Sequence, residues 1–313
     1  MTSTRELGLP TVSRQEGLAD EVEIWEVAPR DGLQAEKALV DVDTKVELIQ
    51  RLVRAGASVI EVGSFVRADR VPQMADSADV FERVKDLPVR TPVLVPNVRG
   101  YELAREAGAS DIAVFLSVTE SFSQGNLGAS RERMEQSVLN VVARAKADGV
   151  RVRGYLSMVF GDPWEGSVPI EDVLRLAVAM RSWGIEDLSL GDTIGVATPG
   201  QVKHLVKSLV GAGVPTSSLA LHLHDTYGMA LANVYAGLEE GVRIFDAAAG
   251  GVGGCPFAKS ATGNLATDDL VWMLNGLGIR TGIDLDALTE TSAWLSHALA
   301  KPTTSRVAMA LTR

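Results

Sequence analysis

Leu221-His222-Leu223-His224-Asp225-Thr226-Tyr227-Gly228 holds two of the four histidines in this 313-residue chain. Read as a β-strand, the stretch sorts its side chains, because successive strand residues point to opposite faces. His222 and His224 then share one face, and Leu221 and Leu223 turn away into packing. Two imidazoles on one strand face are half of a metal site. The plainer alternative is a pair of structural histidines on a half-buried strand. What surrounds this strand decides between them.

Eight apolar, β-branched runs read as strands, at residues 23–27, 58–63, 92–96, 111–117, 152–157, 187–190, 219–224 and 244–248. Between them lie stretches with helical periodicity. Residues 44–55 read T-K-V-E-L-I-Q-R-L-V-R-A, apolar at three-and-four spacing, with Gly56 as a stop. Residues 131–147, 170–183, 199–209 and 230–240 behave alike, and Pro199 suits a first helical turn. Strands alternating with helices predict a parallel sheet. A count of eight predicts an α/β fold closed into a (β/α)8 TIM barrel. A G-x-G-x-x-G fingerprint is missing after the first strand, which counts against an open dinucleotide-binding sheet.

Composition sets the outer bounds. Hydrophobic residues make up 46% of the chain, enough for a large core, and a single barrel commonly reaches about 250 residues before additions. The net charge of −10 argues against nucleic acid as a partner, since phosphate contacts need clustered Lys and Arg. One cysteine, Cys255, excludes an intramolecular disulfide framework. No apolar run approaches the roughly 20 residues of a membrane span. Residues 1–20 are polar and mixed in charge, and read as a flexible N-terminal segment without the marks of a secretion signal or organelle presequence. Residues 21–313 read as one catalytic domain, with a short C-terminal helical extension over about 285–313 that breaks at Pro302. The expectation is a soluble, cytoplasmic homodimer, the commonest homo-oligomer.

In such barrels the chemistry gathers at the carboxyl ends of the strands. The first strand here is followed by Ala28-Pro29-Arg30-Asp31-Gly32-Leu33-Gln34, and the second carries Glu61 before Gly63-Ser64-Phe65. The fifth carries Arg153 and Tyr155, the sixth ends in Asp192-Thr193, and the seventh in His222 and His224. After the eighth come Gly250-Gly251-Val252-Gly253-Gly254-Cys255-Pro256 and Gly263-Asn264. A core built for stability alone keeps charge out of apolar runs. Closing the barrel sets strand eight beside strand one, which brings Asp31 toward the histidine pair and Asn264. Two nitrogens and two hard oxygens suit an octahedral divalent cation such as Mg2+ or Mn2+ better than a structural zinc. The alternative for Asp31 is an ordinary Asp-Gly turn. Arg30 beside such a cation can stabilise an enolate or bind a carboxylate, with Glu61 holding it. Asp192 is a candidate general base, or a helix cap. Cys255, among four glycines, suits a proton-transfer group on a lid. His204 and His297 fall in helices and read as packing or surface residues.

Taken jointly, E-V-A-P-R-D-G-L-Q, V-I-E-V-G-S-F-V, S-L-G-D-T-I-G-V, H-L-H-D-T-Y-G-M-A-L-A-N and G-G-V-G-G-C-P-F-A with A-T-G-N-L-A-T-D-D resemble the 3-hydroxy-3-methylglutaryl-CoA lyase family of the DRE-TIM metallolyases, over about residues 22–308. The resemblance implies a TIM barrel with a divalent cation held by Asp31, His222, His224 and Asn264. It implies that Arg30 stabilises an enolate, and that Glu61, Asp192, His222 and Cys255 are catalytic or supporting groups. Arg30, Gln34, Ser64, Asn126, Tyr155 and Thr193 would line the substrate site. The implied reaction is cleavage of a 3-hydroxy acyl-CoA to acetyl-CoA and acetoacetate.

Three places depart from the family. Asp162 stands where many members carry cysteine, Gly63 where threonine is common, and residues 124–128 are richer in glycine. Such loop positions read substrate tails, so a related 3-hydroxy-3-alkylglutaryl-CoA or another 3-hydroxy acyl-CoA is the alternative substrate. A Claisen-condensing synthase of the isopropylmalate type is a further alternative. A metal-stabilised binding protein is the third; it has no use for Arg30, Glu61 or a glycine-flanked Cys255.

Overall fold

The computed structural model describes residues 4–254 and 263–312. Its strands are β1 (Glu23–Glu26), β2 (Val59–Ile60), β3 (Gly63–Ser64), β4 (Val93–Leu94), β5 (Asp111–Ser117), β6 (Arg151–Ser157), β7 (Asp187–Asp192), β8 (Leu219–Leu223) and β9 (Ile244–Ala247). They form one parallel sheet in the order β2-β1-β9-β8-β7-β6-β5-β4-β3. The two edges of this sheet are one stretch of chain. Glu61 N donates to Glu26 O at 2.9 Å on the β1 side. Ile60 N donates to Arg90 O at 2.9 Å and Val62 N to Pro92 O at 3.0 Å on the β4 side. Residues 59–64 are therefore a single stave that hands over from one neighbour to the other, and the sheet closes on itself. Nine strand pieces, two of them in that one stave, make eight staves: a (β/α)8 TIM barrel.

Each expected run holds a strand, and the one at 111–117 keeps both of its ends. The second is split because its middle residues share their hydrogen bonds between two partners. Helices Arg131–Ala147 and Ile170–Trp183 fall where the periodicity puts them. The first large helix, Val42–Arg54, starts two residues early because the Asp41 carboxylate accepts from Thr44 N at 2.7 Å, a side-chain cap. Helices Ser77–Val84, Val98–Glu106 and Thr267–Gly276 escape the sequence reading. Each spans only two or three turns. The extension consists of helices Leu285–Ala298 and Arg306–Leu311, separated around Pro302. The N-terminal segment contacts it: Thr4 Oγ1 donates to Asp286 Oδ1 at 2.7 Å. Among the described residues no helix is long and apolar enough to cross a membrane.

Most of the apolar core lies between the barrel and its helices, as expected for strands covered on both faces. The barrel interior is different. Branched aliphatic side chains usually fill it, but here Trp25, Arg153, Ser189 and Asp246 are fully buried. Arg153 pairs with Asp246 and lies with its guanidinium carbon 3.8 Å from the Trp25 ring centroid. This charged layer sits directly beneath the strand ends.

Candidate active site

The chain after β1 makes a tight helical turn, Ala28–Gly32, that presents Arg30 and Asp31. Buried Glu26 anchors it. Its Oε1 accepts from Ala28 N at 2.9 Å and from Ala249 N at 3.0 Å, and its Oε2 from Thr267 Oγ1 at 2.7 Å. One carboxylate thus ties the turn after β1 to the turn after β9. Burial pushes the Glu26 carboxyl up to about 7, against the pull of these three hydrogen bonds.

Arg30 reaches two acids. Its Nε donates to Glu61 Oε1 and its Nη1 to Asp31 Oδ1, each at 2.6 Å. Burial disfavours the charged guanidinium, and the Glu61 and Asp31 charges overcome this, so Arg30 keeps its proton. Tyr155, on β6, donates its hydroxyl to the other oxygen of Glu61. The Arg30 guanidinium carbon stands 5.3 Å from the Tyr155 ring centroid. Arg30, Glu61 and Tyr155 form one buried unit.

Asp31, His222 and His224 present ligand atoms that all lie within 4.8 Å of one another, among the described residues the one such group of His, Cys, Asp or Glu. The two Nε2 atoms are 3.3 Å apart, and Asp31 Oδ2 is 3.9 Å from His222 Nε2. Two ligands at about 2.1 Å and at right angles on one cation stand about 3.0 Å apart, close to the spacing of the imidazoles. Burial raises the Asp31 carboxyl, but the Arg30, His222 and His224 charges hold it well below the usual range. It is an anion at neutral pH, as a ligand must be. Asn264 borders the group, donating its amide to Asp31 Oδ2 at 2.9 Å and to Val252 O at 3.1 Å. The glycine loop packs close against that amide: at Gly253, with φ of 120°, a Cβ would come within 2.5 Å of Asn264 Nδ2. The donor set therefore fits a hard or borderline divalent cation.

Asp192 ends β7. Its two oxygens accept from Val196 N at 2.9 Å and Ala197 N at 3.0 Å, which orders the turn ahead of the helix Pro199–Gly211. The cap of that helix is Thr198, so Asp192 serves the loop and not the helix terminus. Burial pushes its carboxyl up to about 6, against those amides and the His222 charge. Thr193 Oγ1 accepts from Met158 N at 3.0 Å, bracing a left-handed backbone (φ 61°) just after β6. Ser64 is fully buried, and its hydroxyl has no hydrogen-bond partner among the described residues. Gln34 and Asn126 are half-buried, and among the described residues no hydrogen bond ties either to the cluster. Cys255 lies outside the described residues.

The three departures have local explanations. Asp162 is a loop staple. Its Oδ2 accepts from Thr119 Oγ1 at 2.6 Å, and its Oδ1 from Trp164 N at 2.7 Å and Glu165 N at 2.8 Å. Gly63 faces Ser77, whose hydroxyl lies 2.8 Å from where a Cβ would stand and accepts from Ser64 N at 3.0 Å. Gly125 lets the Trp164 indole approach to 3.2 Å from the place of its missing Cβ.

Four residues carry weight that the sequence did not reveal: Glu26, Ser189, Asp246 and Arg153, the last noted only as a strand residue. Asp246 Oδ2 meets His222 Nδ1 at 3.2 Å and accepts from Ser189 Oγ at 2.8 Å. The available signal was an acidic residue inside an otherwise apolar run, Glu26 in the first and Asp246 in the last.

Fold and site together define a (β/α)8-barrel enzyme built to hold a cation at the carboxyl ends of its strands. The chain belongs to the HMGL-like family, whose model matches residues 21–295. It is 46% identical over 299 residues to the cytoplasmic 3-hydroxy-3-methylglutaryl-CoA lyase of Mus musculus, covering 95% of this chain and 87% of that one. A mitochondrial hydroxymethylglutaryl-CoA lyase of the same organism matches at 47%. The crystal structure of hydroxymethylglutaryl-CoA lyase from Pseudomonas aeruginosa superposes with a TM-score of 0.91 at 44% identity, covering 94% and 98% of the two chains. An HMG-CoA lyase from Acinetobacter baumannii, in complex with coenzyme A and 3-methylmalate, gives 0.89 at 37% identity, covering 93% and 95%.

Proposed function

We propose that this protein is a divalent-metal-dependent lyase that cleaves 3-hydroxy-3-methylglutaryl-CoA into acetyl-CoA and acetoacetate. The observation that carries the reading is the placing of Arg30 against the Asp31–His222–His224 group, with Glu61 behind it. A cationic side chain beside a cation site suits a reaction that develops negative charge on an enolate. The matched relatives carry this activity in their names.

Asp31, His222 and His224, with the Asn264 side chain, would hold Mg2+ or Mn2+. A cation bound there supplies Lewis-acid polarisation of the substrate's hydroxyl and carboxylate oxygens. Asp192, with a carboxyl near 6, is poised to take the 3-hydroxyl proton at neutral pH. The C2–C3 bond then breaks. The hydroxyl carbon becomes the ketone of acetoacetate, and the electron pair passes to C2 as the thioester enolate. Arg30, held in place by Glu61 and Tyr155, offers that oxyanion a fixed positive charge. Cys255, on the glycine loop, is the proposed donor of the proton that turns the enolate into acetyl-CoA. The Ser64 hydroxyl is available to a substrate oxygen, and Gln34, Asn126 and Thr193 are proposed to border the acyl-CoA. The homodimer and the cytoplasmic location belong to this reading as well.

A substrate series tests it. Cleavage of 3-hydroxy-3-methylglutaryl-CoA should exceed that of its 3-ethyl homologue and of 3-hydroxybutyryl-CoA, which lacks the free carboxylate. Preference for the ethyl compound would move the assignment to the longer-chain alternative. Release of free CoA from acetyl-CoA and a keto acid would support the condensing one.

A further inference from the structure

We propose that Asp246, gripped by Arg153 and Ser189, is the positioning residue that sets the tautomer of His222 and aims its Nε2 at Asp31 and His224; this rests on the metal-centre reading above. Asp246 lies on β9, opposite His222 in the β8–β9 register. Its Oδ2 meets His222 Nδ1 at 3.2 Å and accepts from Ser189 Oγ at 2.8 Å, and its Oδ1 pairs with Arg153 Nη2. Arg153, Ser189 and Asp246 are all fully buried inside the barrel. A carboxylate paired with a guanidinium is an acceptor only. In the neutral ring that binds a cation, His222 Nδ1 must therefore carry the one proton, which leaves a lone pair on Nε2, and that atom lies 3.3 Å from His224 Nε2.

Stability does not explain this arrangement. Replacing a buried ion pair by well-packed apolar residues is often neutral or favourable, and Arg153 Nε and Nη1 have no hydrogen-bond partner among the described residues. A barrel interior of this kind could be filled with Val, Ile and Leu. A buried carboxylate on the far nitrogen of a metal-ligating histidine has a recognised use: it fixes ring orientation and raises ligand basicity.

Asp246→Asn tests the proposal with little change of shape. Arg153 requires an acceptor, so the amide oxygen should face it and the NH2 should face His222. A donor at Nδ1 forces the proton onto Nε2, which can no longer bind a cation. Nitrogen-detected NMR of ring-labelled histidine, at a pH high enough that the ring is neutral, should show His222 protonated at Nδ1 in the metal-free wild type and at Nε2 in D246N. Mn2+ titration followed by electron paramagnetic resonance should show a Kd weakened about 10- to 100-fold in D246N. Ser189→Ala, a smaller change on the same carboxylate, should weaken Mn2+ binding in the same direction by less, and serves if D246N does not fold. A merely structural role would lower the melting temperature and leave tautomer and Kd unmoved, and that result overturns the proposal. A tautomer switch in a protein that binds no Mn2+ would uphold Asp246 as the positioning residue and overturn the metal reading instead.

Discussion

Arg30 and Glu61 form a buried ion pair, Nε to Oε1 at 2.6 Å, from neighbouring staves of the barrel. The same guanidinium reaches Asp31 through Nη1, so one planar group links the acid behind the site to the acid in the cation cluster. Lysine cannot reproduce this, since it has one nitrogen where arginine has a fork. Arg30→Lys keeps the charge beside Glu61, and should retain the fold while lowering kcat about 10²-fold, the loss typical of one oxyanion-stabilising donor. Steady-state kinetics with a thermal melt on the same sample check this. A variant with wild-type kcat would remove Arg30 from the chemistry.

As the proposed general base, Asp192 should set the pH dependence of the rate. Its carboxyl, raised by burial to about 6, must be ionised to accept a proton. The rate should fall as pH drops through about 6 and level above it. Asp192→Asn should abolish that limb and lower kcat by about 10²- to 10⁴-fold, the usual contribution of general-base catalysis. An unchanged acid limb in D192N would assign it to another group.

Glu26 acts on stability. Its folded-state carboxyl is raised from 4.5 to about 7, so the folded state binds the proton more tightly than the unfolded chain. Stability should therefore decline as pH rises through the window from 4.5 to about 7 and stay flat above it. At about 1.4 kcal/mol per pKa unit the decline from this group is on the order of 3 kcal/mol. Asp268, raised by burial to about 6, adds a smaller slope of the same sign. In Glu26→Gln the amide oxygen can still accept from Ala28 and Ala249, and the amide N–H can meet Thr267. Urea melts between pH 5 and 8 should then show a shallower slope and a higher stability above pH 7 than wild type. Identical slopes would mean that Glu26 does not titrate in this range.

Gly253 tests the closeness of the glycine loop to Asn264. With φ at 120° and the Asn264 amide 2.5 Å from the place of a Cβ, Gly253→Ala must displace one of them. A strained left-handed residue costs roughly 1–3 kcal/mol, so the melting temperature should fall. Mn2+ affinity should fall with it, because Asn264 moves away from Asp31. Loss of stability with unchanged Mn2+ affinity would show that Asn264 takes no part in holding the cation.

The barrel was legible because its staves are written as apolar runs, and β5 and β6, the longest, were read almost to the residue. Asp31, His222 and His224 could be foreseen for a different reason. Polar residues at strand ends interrupt apolar sequence, and barrel closure then says which ends are neighbours. Asp246 could not be found in this way. In I-F-D-A-A it looks like a flaw in a strand, and only the β8–β9 register shows that it stands beside His222. Glu26 was hidden likewise, since its three partners come from segments more than 200 residues apart in part. Asp162 and Gly63 looked like changes in substrate reading. The structure gives each a local role as well: one staples its own loop, and the other makes room for Ser77, which no local pattern announces.

The most direct measurement is metal-dependent turnover. Protein stripped of metal is mixed with 3-hydroxy-3-methylglutaryl-CoA, with and without Mg2+ or Mn2+, and acetyl-CoA and acetoacetate are both quantified. Equal amounts of the two products should form, and only when the cation is present. A folded protein that binds the cation and forms neither product would contradict it.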